Sequence, residues 1–211
     1  MCGKKTDKKD SAVKKRKIDE YRVYNKGRAF RILVFPKFEE AWAFDDFPED
    51  NQLMLDGSPE FMGYVQSALA VLIADPHLII YFPIRHKGCT IYGRDLTYDA
   101  ILVRPELQFR FSQWYDIKSK LNKQHWAGKY TIRHNKKKLN DLWEKEYAGR
   151  YWRVDWDGKT ERLLGDTVFL CLPKTICLHY HTCISSALEC YKPNDLYGTW
   201  AAIGYIIPPK K

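Results

Sequence analysis

The chain has 211 residues, 45% of them hydrophobic and 15% aromatic, with 35 Lys and Arg against 26 Asp and Glu for a formal net charge of +9. That length predicts one domain, and the apolar content excludes a disordered chain. No apolar run reaches the roughly 20 residues of a membrane span, and Lys4 and Lys5 lead into no apolar segment, so no secretory signal is expected and the six cysteines are expected as reduced thiols.

Residues 1–17 carry eight basic side chains and two aspartates, with hardly a large aliphatic among them. Such a segment cannot bury enough apolar surface to offset its ordering entropy, so a disordered basic arm is predicted over 1–20. A single globular domain is predicted over 21–211. The β-branched and aromatic run at 28–38 predicts a strand ended by Pro36. Residues 39–60, with Trp42, Phe44 and Phe47 among acidic side chains, predict a long loop. Ser58-Pro59-Glu60 then opens a helix over about 59–74, with Ser58 as N-cap, Pro59 in the first position, and Phe61, Tyr64, Val65, Leu69, Leu72 and Ile73 at helical spacing.

Asp75-Pro76 stops that helix. Strands are predicted at 77–84, 89–92 and 100–103. Leu107, Phe109 and Phe111 alternate with Gln108 and Arg110, the pattern of a strand with one wet face. A short helix is expected near 139–147 and a hairpin where 150–156 meets Asp157-Gly158. Strands are expected again at 168–172, 175–182 and 200–207, and 185–191 is ambiguous. The sum is an α+β fold: a strand-rich antiparallel sheet with one main helix packed on it.

The charge is concentrated. Residues 117–138 hold eight basic side chains and no acid, while 18–116 are net acidic and 139–211 balanced. Two basic segments therefore stand out. In the arm, Lys4, Lys5, Lys8, Lys9, Lys14, Lys15, Arg16 and Lys17 are candidates for gripping polyanions, through counterion release on nucleic acid or attraction to acidic lipid. Lys14-Lys15-Arg16-Lys17 also has the form of a nuclear-import signal, and Cys2 beside the arm is a candidate for acylation. In the middle, Lys118, Lys120, Lys123, Lys129, Arg133, Lys136, Lys137 and Lys138 are interleaved with Trp114, Tyr115, Trp126 and Tyr130. Cations for phosphates between aromatic faces for bases are the ingredients of a sequence-tolerant nucleic-acid surface, and Trp and Tyr also suit the headgroup level of a membrane.

Cys177, His179, His181 and Cys183 alternate, and on a strand all four project from one face. Four same-face positions span about 20 Å, too far for one tetrahedral ion. At most His179 and His181 share one with a group such as Cys171 or Cys190, so no metal or other cofactor is expected. His179-Tyr180-His181 and Tyr115-Asp116-Ile117-Lys118 look superficially like the metal and nucleophile motifs of rolling-circle endonucleases. Their order is reversed, and His77-Leu78-Ile79, at the expected place, lacks the second metal-binding side chain. No Gly-rich phosphate loop, Gly-x-Ser-x-Gly or His-Glu-x-x-His occurs, and no enzymatic activity is expected.

Phe30-Arg31-Ile32-Leu33 leading through Phe38-Glu39-Glu40, Gly198-Thr199-Trp200 near the end, and the strand–helix–strand layout over 28–84 resemble the rhabdovirus matrix proteins, as does a Lys-rich start before an aromatic α+β body. The chain has no Pro-Pro-x-Tyr budding motif, and Pro208-Pro209 is followed by Lys210-Lys211. The import-like cluster suits the plant-infecting members that assemble in the nucleus. The resemblance implies a non-enzymatic coat protein of the virion that links ribonucleoprotein to an acidic membrane, self-associates into an open assembly, and visits host nucleus and cytoplasm through an import receptor. The opposite charges of 39–60 and 117–138 suit head-to-tail contact between copies. The competing expectation is a capsid-type nucleic-acid-binding protein, an eight-stranded jelly roll with 58–74 as a loop insertion.

Overall fold

The computed structural model describes residues 15–38, 41–47, 52–84, 90–91, 94–95, 98–133, 135–147 and 159–190. Strands β1 (Lys15–Asn25) and β2 (Arg28–Val34) form an antiparallel hairpin. Its turn is Lys26-Gly27, whose positive φ angles of 49° and 77° match the twist of the flanking strands. Strands β3 (Ala41–Phe47) and β4 (Gln52–Gly57) pair with each other apart from the main sheet. Helix α1 (Pro59–Ala74) follows, then β5 (Leu78–Phe82), the short pair β6 (Thr90–Ile91) and β7 (Arg94–Asp95), and β8 (Asp99–Val103). After α2 (Trp114–Lys118) come β9 (Trp126–Arg133), α3 (Lys136–Tyr147), β10 (Thr160–Leu164), β11 (Thr167–Cys171) and α4 (Lys174–Cys190).

Seven strands form one sheet in the order β10-β11-β8-β5-β2-β1-β9. It is mixed: β2 and β5 run parallel, as do β8 and β11, and the other neighbours are antiparallel. Every residue of the central strands β5 and β8 is buried, so both faces of the sheet are covered there.

One face carries the helices. Leu33, Ile80, Leu102 and Leu170 of the sheet pack with Phe61, Val65, Leu69 and Leu72 of α1 and with Ile176, Tyr180 and Ile184 of α4. Each such side chain, fully buried, contributes about 1.5–3 kcal/mol. Ser58 caps α1 by accepting from the Phe61 amide at 3.3 Å. The other face is covered by the irregular segment 104–121: Leu107, Trp114 and Ile117 lie on Phe30, Ile32, Ile79, Tyr81, Ile101 and Phe169.

The α+β class and the main helix stand as predicted, with Pro59–Ala74 packed on the sheet. Several local expectations change. The sheet is mixed rather than antiparallel: β2 and β5, joined through α1, run parallel, and so do β8 and β11. A helix-backed sheet also replaces the jelly roll of the capsid-type expectation, since residues 59–74 are core and not an inserted loop. Of the arm predicted over 1–20, residues 15–20 belong to strand β1, and 1–14 lie outside the described residues. The loop predicted within 39–60 contains the β3–β4 hairpin.

The strand predicted through Leu107, Phe109 and Phe111 is a pair of 3₁₀ turns, Pro105–Leu107 and Phe111–Gln113, joined through Gln108 at φ 51°. The preceding strand β8 already has β5 and β11 on its two edges. No edge is left beside it, and 104–121 covers the face instead, with Phe109 on Phe30 and Phe111 on Phe169. The strand predicted at 175–182 is the first half of α4. Residues 176–181 are buried without a break, a pattern that no half-exposed strand would show. The hairpin at 150–158 and the strand at 200–207 lie outside the described residues. Among the described residues no helix is long and apolar enough to cross a membrane.

Candidate polyanion interface

The two basic segments meet in the fold. β1 pairs antiparallel with β9 in the register Lys15 to Arg133, Arg16 to Ile132, Lys17 to Thr131, Ile18 to Tyr130 and Asp19 to Lys129. A bulge at Glu20/Tyr21 then brings Tyr21 opposite Trp126. Because side chains alternate, Ile18, Tyr130 and Ile132 turn to the helix side and join its core. Lys17, Asp19, Trp126, Lys129, Thr131 and Arg133 turn to the opposite face, the one that residues 104–121 cover farther along the sheet.

That face is basic with one carboxylate. Lys17 and Arg133 are exposed, the Lys129 side chain is 51% exposed, and Trp126 is 49% exposed. Asp19 accepts from Trp126 Nε1 at 2.8 Å and pairs with Lys129 Nζ at 2.7 Å. Burial works against the Asp19 charge, but the hydrogen bonds from Lys129 and Trp126 and the charge of Lys129 hold the carboxyl below its usual range. Lys123 is exposed in the 3₁₀ turn Lys123–His125, which leads into Trp126.

The remaining predicted residues are distributed elsewhere, so the strip 114–138 is not one surface. Trp114 is buried core. Lys118 donates to Asp99 Oδ2 at 2.8 Å and to Asp166 Oδ2 at 3.2 Å, and Asp99 Oδ2 also accepts from Tyr81 Oη at 2.7 Å. Burial lowers the Lys118 pKa, and the hydrogen bonds and charges of Asp99 and Asp166 outweigh it, leaving the value raised. Lys118 is thus a structural cation. Lys120 donates to the Tyr24 carbonyl at 3.0 Å. Lys136, Lys137 and Lys138 begin α3, which packs with α4 on the helix side, where Lys136 pairs with Glu189 at 2.9 Å.

Arg16 is also withdrawn. Its guanidinium lies 3.9 Å from the centre of the Tyr64 ring and against Gly63, where an added Cβ would meet Nη2 at 2.9 Å. Burial lowers its pKa against the attraction of Tyr64 and Glu60. In the folded chain Lys14-Lys15-Arg16-Lys17 therefore is not a fully exposed import signal: three of its residues lie in β1, and its arginine is occupied. Lys4, Lys5, Lys8, Lys9 and Lys14 lie outside the described residues, as do Cys2 and the side chain of Lys15.

The Cys and His residues fall on α4, where alternate positions diverge. His179 and Cys183, one turn apart, meet with Nε2 and Sγ 3.6 Å apart beneath Trp143. Burial pushes the His179 pKa down and the Cys183 thiol up, which favours the neutral form of both. Among the described residues no three His, Cys, Asp or Glu side chains are grouped to hold a metal. Tyr115 donates to the Leu164 carbonyl at 3.1 Å on the side of α2, and the sheet separates it from His179 and His181. The endonuclease-like residues are therefore not brought together.

The sequence gives no sign of the parts played by Asp19, Asp99, Asp166 and Tyr81, because a lone carboxylate carries no signal until its pairing is known. No protein-family model, curated protein or solved structure matches the chain.

Proposed function

We propose that the protein is a non-enzymatic, matrix-type structural protein that self-associates and bridges a ribonucleoprotein to an acidic membrane during virion assembly. The observation that carries this reading is the pairing of β1, at the end of the first basic segment, with β9, within the second, which puts Lys17, Lys129 and Arg133 on one face opposite the helix layer. Residues 1–14, with five lysines, lead into β1 at Lys15, which pairs with Arg133, so the arm and the face act at high effective concentration on one polyanion. The helix layer and the β3–β4 hairpin are left for contacts between copies, and an import receptor, where it acts, reads Lys14 to Lys17 after the start of β1 detaches.

Flotation of the full chain with phosphatidylcholine vesicles, with and without phosphatidylserine, tests the membrane half, and sedimentation at rising protein concentration tests assembly. Binding that needs the anionic lipid, together with concentration-dependent growth, is expected. Equal recovery on both vesicle types, with a monomer at every concentration, would refute the proposal.

A further inference from the structure

We infer that the open β1–β9 face binds single-stranded nucleic acid, with Lys17 and Arg133 on phosphates, Lys129 shared with Asp19 beside them, and Trp126 stacked on a base. The inference rests on the reading above and names the polymer that this face takes.

Same-face residues on a strand repeat every 6–7 Å or so, and neighbouring strands lie about 4.8 Å apart. Lys129 and Arg133 thus stand two such steps apart along β9, with Lys17 beside the midpoint, opposite Thr131. That ladder is close to the phosphate step of an extended strand. Cations that track a backbone, together with an aromatic ring on which a base stacks, are also how sequence-tolerant single-strand surfaces are built.

The chemistry around the ring favours nucleic acid over lipid. Trp126 is half-exposed; Tyr21, opposite it on β1, is partly buried, and the other same-face neighbours are Lys129, Thr131 and Arg133 on β9 with Lys17 and Asp19 on β1. A membrane-inserting surface needs contiguous apolar side chains to enter the headgroup boundary, and these residues offer one half-exposed ring, backed by the partly buried Tyr21, among charges. Asp19 does not reverse the sign of the face. It ties the indole nitrogen to the sheet and offsets Lys129, leaving Lys17, Arg133 and the adjacent Lys123 in excess. Duplexes keep their bases stacked on one another and so cannot use Trp126.

The test is fluorescence anisotropy of the full chain with a fluorescein-labelled oligouridylate, competed by duplex RNA of the same length and by phosphatidylserine-containing vesicles. The oligouridylate is expected to bind more tightly than the duplex. Trp126→Leu should weaken it on the order of tenfold while Trp126→Phe stays near the parent. Lys17→Ala with Arg133→Ala should lower the slope of log affinity against log salt by roughly 1.4, at about 0.7 for each phosphate no longer neutralised. Asp19→Asn should tighten binding, and Lys137→Ala with Lys138→Ala, on α3, should leave the slope nearly unchanged. Oligouridylate binding that is indifferent to Trp126→Leu, or equal for single strand and duplex, overturns the inference. Failure to bind the oligouridylate, with retained vesicle binding, also overturns it but leaves the membrane half of the proposed function standing. Failure to bind either removes both.

Discussion

Replacing Lys118 by Met removes the cation that joins α2 to the starts of β8 and β11, and the structure sets the size of the effect. The ammonium lies between Asp99 and Asp166, with side-chain exposures of 28% for Lys118, 8% for Asp99 and 28% for Asp166. A surface pair is worth at most about 1 kcal/mol, and breaking a fully buried one costs about 3–5 kcal/mol. The triad lies between these limits, so Lys118→Met should cost about 2 kcal/mol. For a chain of this size that corresponds to a fall in Tm of about 4–8 °C, read by far-UV circular dichroism. Much of the loss is the two carboxylates facing each other without their shared counterion. Asp99→Asn in the Lys118→Met background should therefore recover part of it, with a coupling on the order of 1 kcal/mol in the double-mutant cycle. Because the folded Lys118 pKa is raised above 10.5, the contribution is complete below that pH and is lost as the pH climbs through the folded value. Additive costs for the two substitutions, or unchanged stability in Lys118→Met, would refute the reasoning.

Three further outcomes follow from the packing. Ser58→Ala removes the cap of α1 and should cost about 1 kcal/mol in urea unfolding with an unchanged m-value. Gly165→Ala places a Cβ 2.0 Å from Tyr115 Oη at a φ of +59°. It should destabilise by about 1–2 kcal/mol, and Tyr115→Phe should relieve part of that, so an undiminished cost in the double variant would count against the clash. Cys177 is fully buried and burial pushes its thiol up to about 12 from an ordinary value of 9.0. It should stay unlabelled by iodoacetamide at pH 8 in the native chain, by mass spectrometry, while native stability falls as the pH rises from 9 towards 12, because only the unfolded thiol ionises there.

Legibility varied by element. The helix at 59–74 was readable because its cap, its Pro and its apolar period agreed, and agreement among independent local signals is what makes a sequence specify an element. The helix α4 was not, because Cys177, His179, His181 and Cys183 alternate with Leu178, Tyr180 and Thr182 as on a strand, and so short a run does not separate strand from buried helix. For the candidate site, the residue types were visible and their grouping was not. Lys129 and Arg133 share a face with Lys17, more than a hundred positions away, whereas Lys118 and Lys136, close to them in sequence, are held by carboxylates on opposite sides of the sheet.

By itself the sequence determined the class of fold, the place of the main helix and the existence of two dense cationic segments, since these depend on local propensity and on composition. Tertiary structure alone decided which cations stay free, because neutralisation by Asp99, Asp166 and Glu189, stacking on Tyr64 and the pairing of β1 with β9 are long-range events. A charge acts on a partner only where the fold leaves it in water, and side-chain alternation across a paired strand is what sorted Lys17, Lys129 and Arg133 outward and Arg16 inward.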